Sequence, residues 1–132
     1  ADVPKPLAQS ETVILMEYVG DDDAPAPMLA NVDLDHTEAR DVFDRILRNV
    51  ELCLANDRIH GDLSPHNILY DAGRIRIIDF PQAVDPRFNQ DALSILERDV
   101  ANVCRFAARY GIDADTYRIT RELWGRFLRA DL

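Results

Sequence analysis

The chain has 132 residues, of which 47% are hydrophobic and 30% charged, so it can bury one core and a single domain over 1–132 is expected. Its 24 acidic side chains outnumber 15 basic ones, and the formal charge of −9 opposes a broad contact with a phosphate backbone. No run of about 18 apolar residues offers a membrane span, and the opening ADVPKPLAQSE lacks the charged-then-apolar pattern of a signal peptide. A cytoplasmic protein with no direct nucleic-acid or membrane partner is therefore expected.

In chain order, TVILMEYV at 12–19 is an apolar, β-rich run closed by Gly20 and reads as a buried strand. The following GDDDAPAPMLANVDL, with its aspartates and prolines, reads as a loop or flap. Asp35 and Glu38 then form a capping-box start, and Ala39, Phe43, Ile46, Val50 and Cys53 recur at helical spacing, which predicts an amphipathic helix over about 36–55. After HGDLSPHN, the runs ILY and RIRIID flank DAG and predict a hairpin around a glycine turn. Beyond FPQAVDPRFN, Ala92, Leu93, Leu96, Val100, Val103 and Ala107 mark a second helix stopping near Gly111. A third starts at Asp115 and carries Tyr117, Leu123, Trp124, Phe127 and Leu128 to the end. Cys53 and Cys104 lie far apart within helical patterns, which suits small buried core residues better than a disulfide or a metal.

The chemistry concentrates in HGDLSPHNILY, residues 60–70. Asp62 follows a helix in a loop, Asn67 lies where that loop enters the first hairpin strand, and Asp79 ends the second strand. Hairpin pairing brings positions just before one strand and just after the next to the same end, so Asn67 and Asp79 are expected to converge. Two oxygen-bearing side chains at one point suit magnesium, which completes its shell with water and phosphate oxygens. Asp62, slightly removed, is then free to accept a proton from an attacking hydroxyl, the layout of base, metal-binding Asn and metal-binding Asp found in kinases. The five-residue step from Asp62 to Asn67 matches a kinase catalytic loop, and the seventeen from Asp62 to Asp79 accommodate one hairpin. His60 reads as a structural bridge between loop and strand, and His66 as a loop or substrate-facing residue. A zinc site of His60, Asp62, His66 and Asp79 is the competing assignment, although metallohydrolases bring a tighter histidine cluster.

These motifs resemble the C-terminal lobe of RIO-type atypical protein kinases. ILMEYVGDDDAPAPMLANV is similar to the family's hinge and following segment, HGDLSPHNILY to its catalytic loop and IRIIDFPQAVDP to its metal-binding loop, over about residues 3–110. The resemblance implies an α+β, protein-kinase-like fold, with a mainly helical C-terminal lobe, a hinge strand and a small catalytic hairpin. Residues 1–19 would be the end of the N-terminal-lobe strands and the hinge, and 20–132 the C-terminal lobe. It further implies Asp62 as catalytic base, Asn67 and Asp79 as ligands of Mg2+, and ATP held with its adenine on the backbone of Glu17 and Val19 beside Met16 at the gatekeeper position. The implied function is ATP-dependent phosphoryl transfer to serine or threonine, or autophosphorylation, with a ribosomal or other protein substrate and a link to ribosome maturation. Arg98 and Asp99 in ERDVANV resemble a family position, and Asp99 is expected to support the catalytic loop through its backbone amides.

Spacing agrees independently, because only about ten residues separate Asp79 from the helix expected near Asn89, too few for the long activation segment of ordinary protein kinases. Two further readings stay open. SPHN is also similar to the HPGN of aminoglycoside and choline kinase-like phosphotransferases, which points to a small-molecule acceptor. The sequence before Glu17 offers neither a glycine-rich loop nor a suitable strand lysine, since Lys5 lies too close to the hinge strand. A lobe inactive by itself, or a non-catalytic partner-binding module, is the other reading.

Overall fold

The computed structural model describes residues 2–3, the strand backbones at 6–9 and 14–16, and residues 25–132. The architecture is α+β. Strands β1 (Pro6–Gln9) and β2 (Ile14–Met16) pair antiparallel. Helix α1 (His36–Ala55) leads through the loop at 60–67 to a second antiparallel pair, β3 (Ile68–Asp71) and β4 (Arg74–Ile77), and helices α2 (Ala92–Ala108) and α3 (Thr116–Leu128) follow. Of the strand expected over 12–19, residues 14–16 are seen as β2, and the rest lies outside the described residues.

Helix α1 forms where its start signal places it. The Asp35 carboxylate accepts from the Glu38 amide at 2.8 Å while the Glu38 side chain accepts from the Asp35 amide at 3.1 Å, satisfying donors that the first turn leaves unpaired. The hairpin turns at Ala72 and Gly73, both at positive φ (50° and 83°), the signature of a two-residue type I′ turn whose twist matches its strands. Asp115 caps α3 by accepting from the Arg118 amide at 3.1 Å.

One core joins these elements. Ala39, Val42, Phe43, Ile46, Val50 and Leu54 of α1 pack with Ile68, Ile75 and Ile77 of the hairpin and with Leu96, Val100, Val103 and Ala107 of α2. Three expectations need correction. Cys53 is only half-buried and Leu54 takes the core position beside it, whereas Cys104 is buried; neither forms a disulfide. Tyr117 and Leu128 of α3 stand 63% and 67% exposed, because α2 and α1 cover only the side of α3 that carries Thr120 and Leu123. The segment expected as a loop after the first strand is, over residues 25–34, also more than a loop. Met28 bridges Leu69, the Tyr70 amide donates to the Pro27 carbonyl at 2.9 Å, and Leu29–Asn31 form a 3₁₀ turn, so this stretch lies along the open edge of β3.

Candidate active site

The loop between α1 and β3 carries almost no regular structure, yet its backbone is fully specified around Asp62. Entry is set by Ile59, which bridges Val84 through two hydrogen bonds of 2.9 Å. His60 is buried, 5% exposed; its Nε2–H donates to the Ile78 carbonyl at 2.8 Å and its Nδ1 accepts from the Asp62 amide at 3.1 Å. The ring also packs against Phe80, with centroids 4.7 Å apart. Both ring nitrogens are thus spent inside the protein, which removes His60 from the zinc assignment and gives it the bridging role instead.

Gly61 adopts φ +89°, and a Cβ there would collide with the carbonyl oxygen of Gln82, so this position requires glycine on both counts. Its flanking groups reach α2. The Gly61 and Leu63 amides donate to the two carboxylate oxygens of Asp99 at 2.9 and 3.1 Å. The Gly61 carbonyl accepts from the Arg98 guanidinium at 2.6 Å, and the Leu63 carbonyl from Asn102 Nδ2 at 2.9 Å. Asp99 is 2% exposed, and burial pushes its carboxyl above the ordinary value against the opposing pull of the two amides. The expected support by Asp99 is present; Asn102 was legible only as a polar residue in an apolar helix, and its role in the loop was not.

Asp62 is exposed at the surface of this loop. Asn67 Nδ2 donates to the Asp62 carbonyl at 2.6 Å and lies 3.4 Å from Asp62 Oδ2, which leaves Asn67 Oδ1 an acceptor unused among the described residues. The Ile78 amide donates to the Asn67 carbonyl at 2.9 Å, one step beyond the Ile68–Ile77 pair, so Asn67 and the start of the segment containing Asp79 meet at one end of the hairpin. Asp79 is exposed at φ +68°, a left-handed conformation that costs an ordinary residue free energy and that Asp tolerates better than most. One carboxamide oxygen and one carboxylate are hard donors suited to a divalent cation, with water and phosphate oxygens to complete its shell. Among the described residues no group of three or more His, Cys, Asp or Glu is placed to hold a metal. His66 is exposed, and its amide donates to Ser64 Oγ at 3.2 Å. Met16 ends β2, while Glu17 and Val19 lie outside the described residues.

A helical lobe with a two-stranded hairpin, an Asp-x-x-x-x-Asn loop before it and an Asp after it defines a protein-kinase-like fold. The chain belongs to the RIO domain family, whose sequence model matches residues 1–120. It is 35% identical over 116 residues to human serine/threonine-protein kinase RIO1, covering 87% of this chain and 20% of that protein. It is 34% identical to the RIO-type serine/threonine-protein kinase Rio1 of Thermoplasma acidophilum, covering 88% of this chain and 59% of the relative. For Rio2 of Methanocaldococcus jannaschii the identity is 37%, over 89% of this chain and 43% of the relative. The chain thus spans between a fifth and three fifths of the length of these proteins. The fold is also that of the Rio2 kinase–ADP/Mg2+–phosphoaspartate complex from Chaetomium thermophilum, with a TM-score of 0.72 at 24% identity over 98% of this chain and 43% of that one.

Proposed function

We propose that this chain is the C-terminal lobe of a RIO-type ATP-dependent kinase or ATPase that transfers the terminal phosphoryl group of Mg-ATP to serine or threonine, on a ribosomal or other protein substrate or on itself. The pairing of Asn67 with Asp62 at the mouth of the hairpin carries the reading. Asp62 sits exposed where it can accept a hydroxyl proton, and the Asn67 amide turned towards it frees Oδ1 for Mg2+ beside Asp79. The bound cation would neutralise charge on the phosphates. Asp62 then has to orient and deprotonate the acceptor hydroxyl, and the loop has to keep that carboxylate in place as the acceptor arrives. Adenine is assigned to the backbone of Glu17 and Val19, with Met16 beside it. The Chaetomium Rio2 kinase, solved with ADP and Mg2+, is in keeping with this ligand set.

Phosphoryl transfer relies almost wholly on positioning and electrostatics, so this reading requires a glycine-rich loop and a phosphate-facing lysine, a position that Lys5 does not suit, from elsewhere in the intact gene product. The test is Mg-dependent ATP turnover by the intact gene product and its Asp79→Ala variant. Turnover should fall by about a hundredfold or more in the variant. Equal turnover in the two would refute the assignment, and stimulation by aminoglycosides or small alcohols would redirect it to small-molecule phosphotransfer.

A further inference from the structure

We propose that Asn102 is a positioning residue for the base Asp62, acting through the Leu63 carbonyl; the inference rests on the functional reading above. Each residue from Gly61 to Leu63 has one backbone donor and one acceptor, and among the described residues all six groups are bonded to side chains. Gly61 and Leu63 donate to Asp99, while their carbonyls accept from Arg98 and Asn102. Asp62 donates to His60 and accepts from Asn67. No strand or helix ladder defines this tripeptide. Four of the six bonds come from one face of α2, where residue 102 neighbours residues 98 and 99 at i+4 and i+3 spacing.

Within that cradle Asn102 has a distinct duty. Asp99 holds both amides, and Arg98 holds the carbonyl before Asp62. Asn67 holds the carbonyl of Asp62 itself, and Asn102 alone among the described residues holds the Leu63 carbonyl, one peptide further on. Loss of that donor frees the Leu63–Ser64 peptide to rotate, and the loosening reaches Asp62 through Leu63, whose amide is held by Asp99 in the peptide on the C-terminal side of Asp62. The amide orientation of Asn102 is fixed from both sides, since Oδ1 accepts from Arg105 Nη1 at 2.8 Å while Nδ2 donates to Leu63.

The Arg105 contact makes a discriminating variant available. Asn102→Asp has nearly the same size, keeps the Arg105 contact with added charge, and replaces the donor to Leu63 by a carboxylate oxygen that faces the Leu63 carbonyl. In the intact gene product this variant should still unfold cooperatively, hold KM for ATP within about twofold, and lose about tenfold or more in kcat, because a displaced base costs rate without costing nucleotide affinity. Backbone amide exchange at Gly61 and Leu63 should quicken by about tenfold, as expected of a loosened loop. Asn102→Ala should repeat both effects without the added charge. A kcat within about twofold of wild type, or a KM effect with kcat intact, would overturn the positioning role while leaving the kinase reading in place. Absence of Mg-ATP turnover in the wild type would overturn the reading itself; the exchange measurement separates the cases, and unchanged exchange in Asn102→Asp removes the cradle argument whatever the activity.

Discussion

Asp85 shows how a single half-buried side chain ties the segment after the candidate site to the rest of the fold. Arg87 grips its carboxylate through two guanidinium contacts of 3.1 and 2.7 Å and donates its own amide at 2.9 Å, while Arg58 approaches at 3.4 Å. Arg87 holds the carboxyl down to about 2 from an ordinary 3.8. A depressed folded value means that the ionised form is favoured by folding. The contribution is therefore complete above the unfolded value and is lost as pH falls from about 4 towards about 2. Arg87→Ala should raise the Asp85 carboxyl towards the ordinary range, with the residue-87 amide and Arg58 still holding it partly down, which a 13C-detected NMR titration would read directly. At the same scale, Asp62, Asn67 and Asp79 were visible in the sequence because their spacing is covalent. The use of both His60 nitrogens was not visible, since Ile78 lies eighteen residues further on.

At the scale of elements, the start of α1 and the hairpin were legible to within a residue or two. A capping box and a two-residue turn are local, so their signals lie in adjacent residues. The turn also leaves room for improvement. Ala72 adopts φ +50°, where a Cβ is unfavourable, whereas Asn enters this region more readily and Asn-Gly is a preferred type I′ pair. Ala72→Asn should raise stability by about 0.5–1 kcal/mol, seen as a higher urea midpoint at unchanged slope. Helix α3 shows the limit of periodic reading. Its apolar spacing gave the helix correctly, but Tyr117 and Leu128 face away from α2 and α1, and periodicity carries no information about which neighbours exist. The stretch around Met28 was read as a loop because its prolines and acidic residues suppress strand patterning, and its pairing with Leu69 is a long-range contact.

For the whole molecule, the loop at 60–67 depends on a core that lies behind it. Leu63 is 1% exposed and Ile59 2%, and both belong to the cluster that α1, α2 and the hairpin share. Ile46 of α1, 1% exposed in the middle of that cluster, should cost about 2–5 kcal/mol when replaced by Ala, measured by chemical denaturation. By itself the sequence determined the three described helices, the hairpin and the spacing of Asp62, Asn67 and Asp79, because each rests on periodicity, caps or fixed positions along the chain, while the α+β kinase-like class came with the family resemblance. Asp99 was expected from the family resemblance, and only the tertiary structure decided that Arg98 and Asn102 join it in holding the residues around Asp62. The donors and acceptors that flank it are bound by residues from α2, thirty-six to thirty-nine positions away, and a hydrogen bond across that separation exists only once the core has brought the helix against the loop.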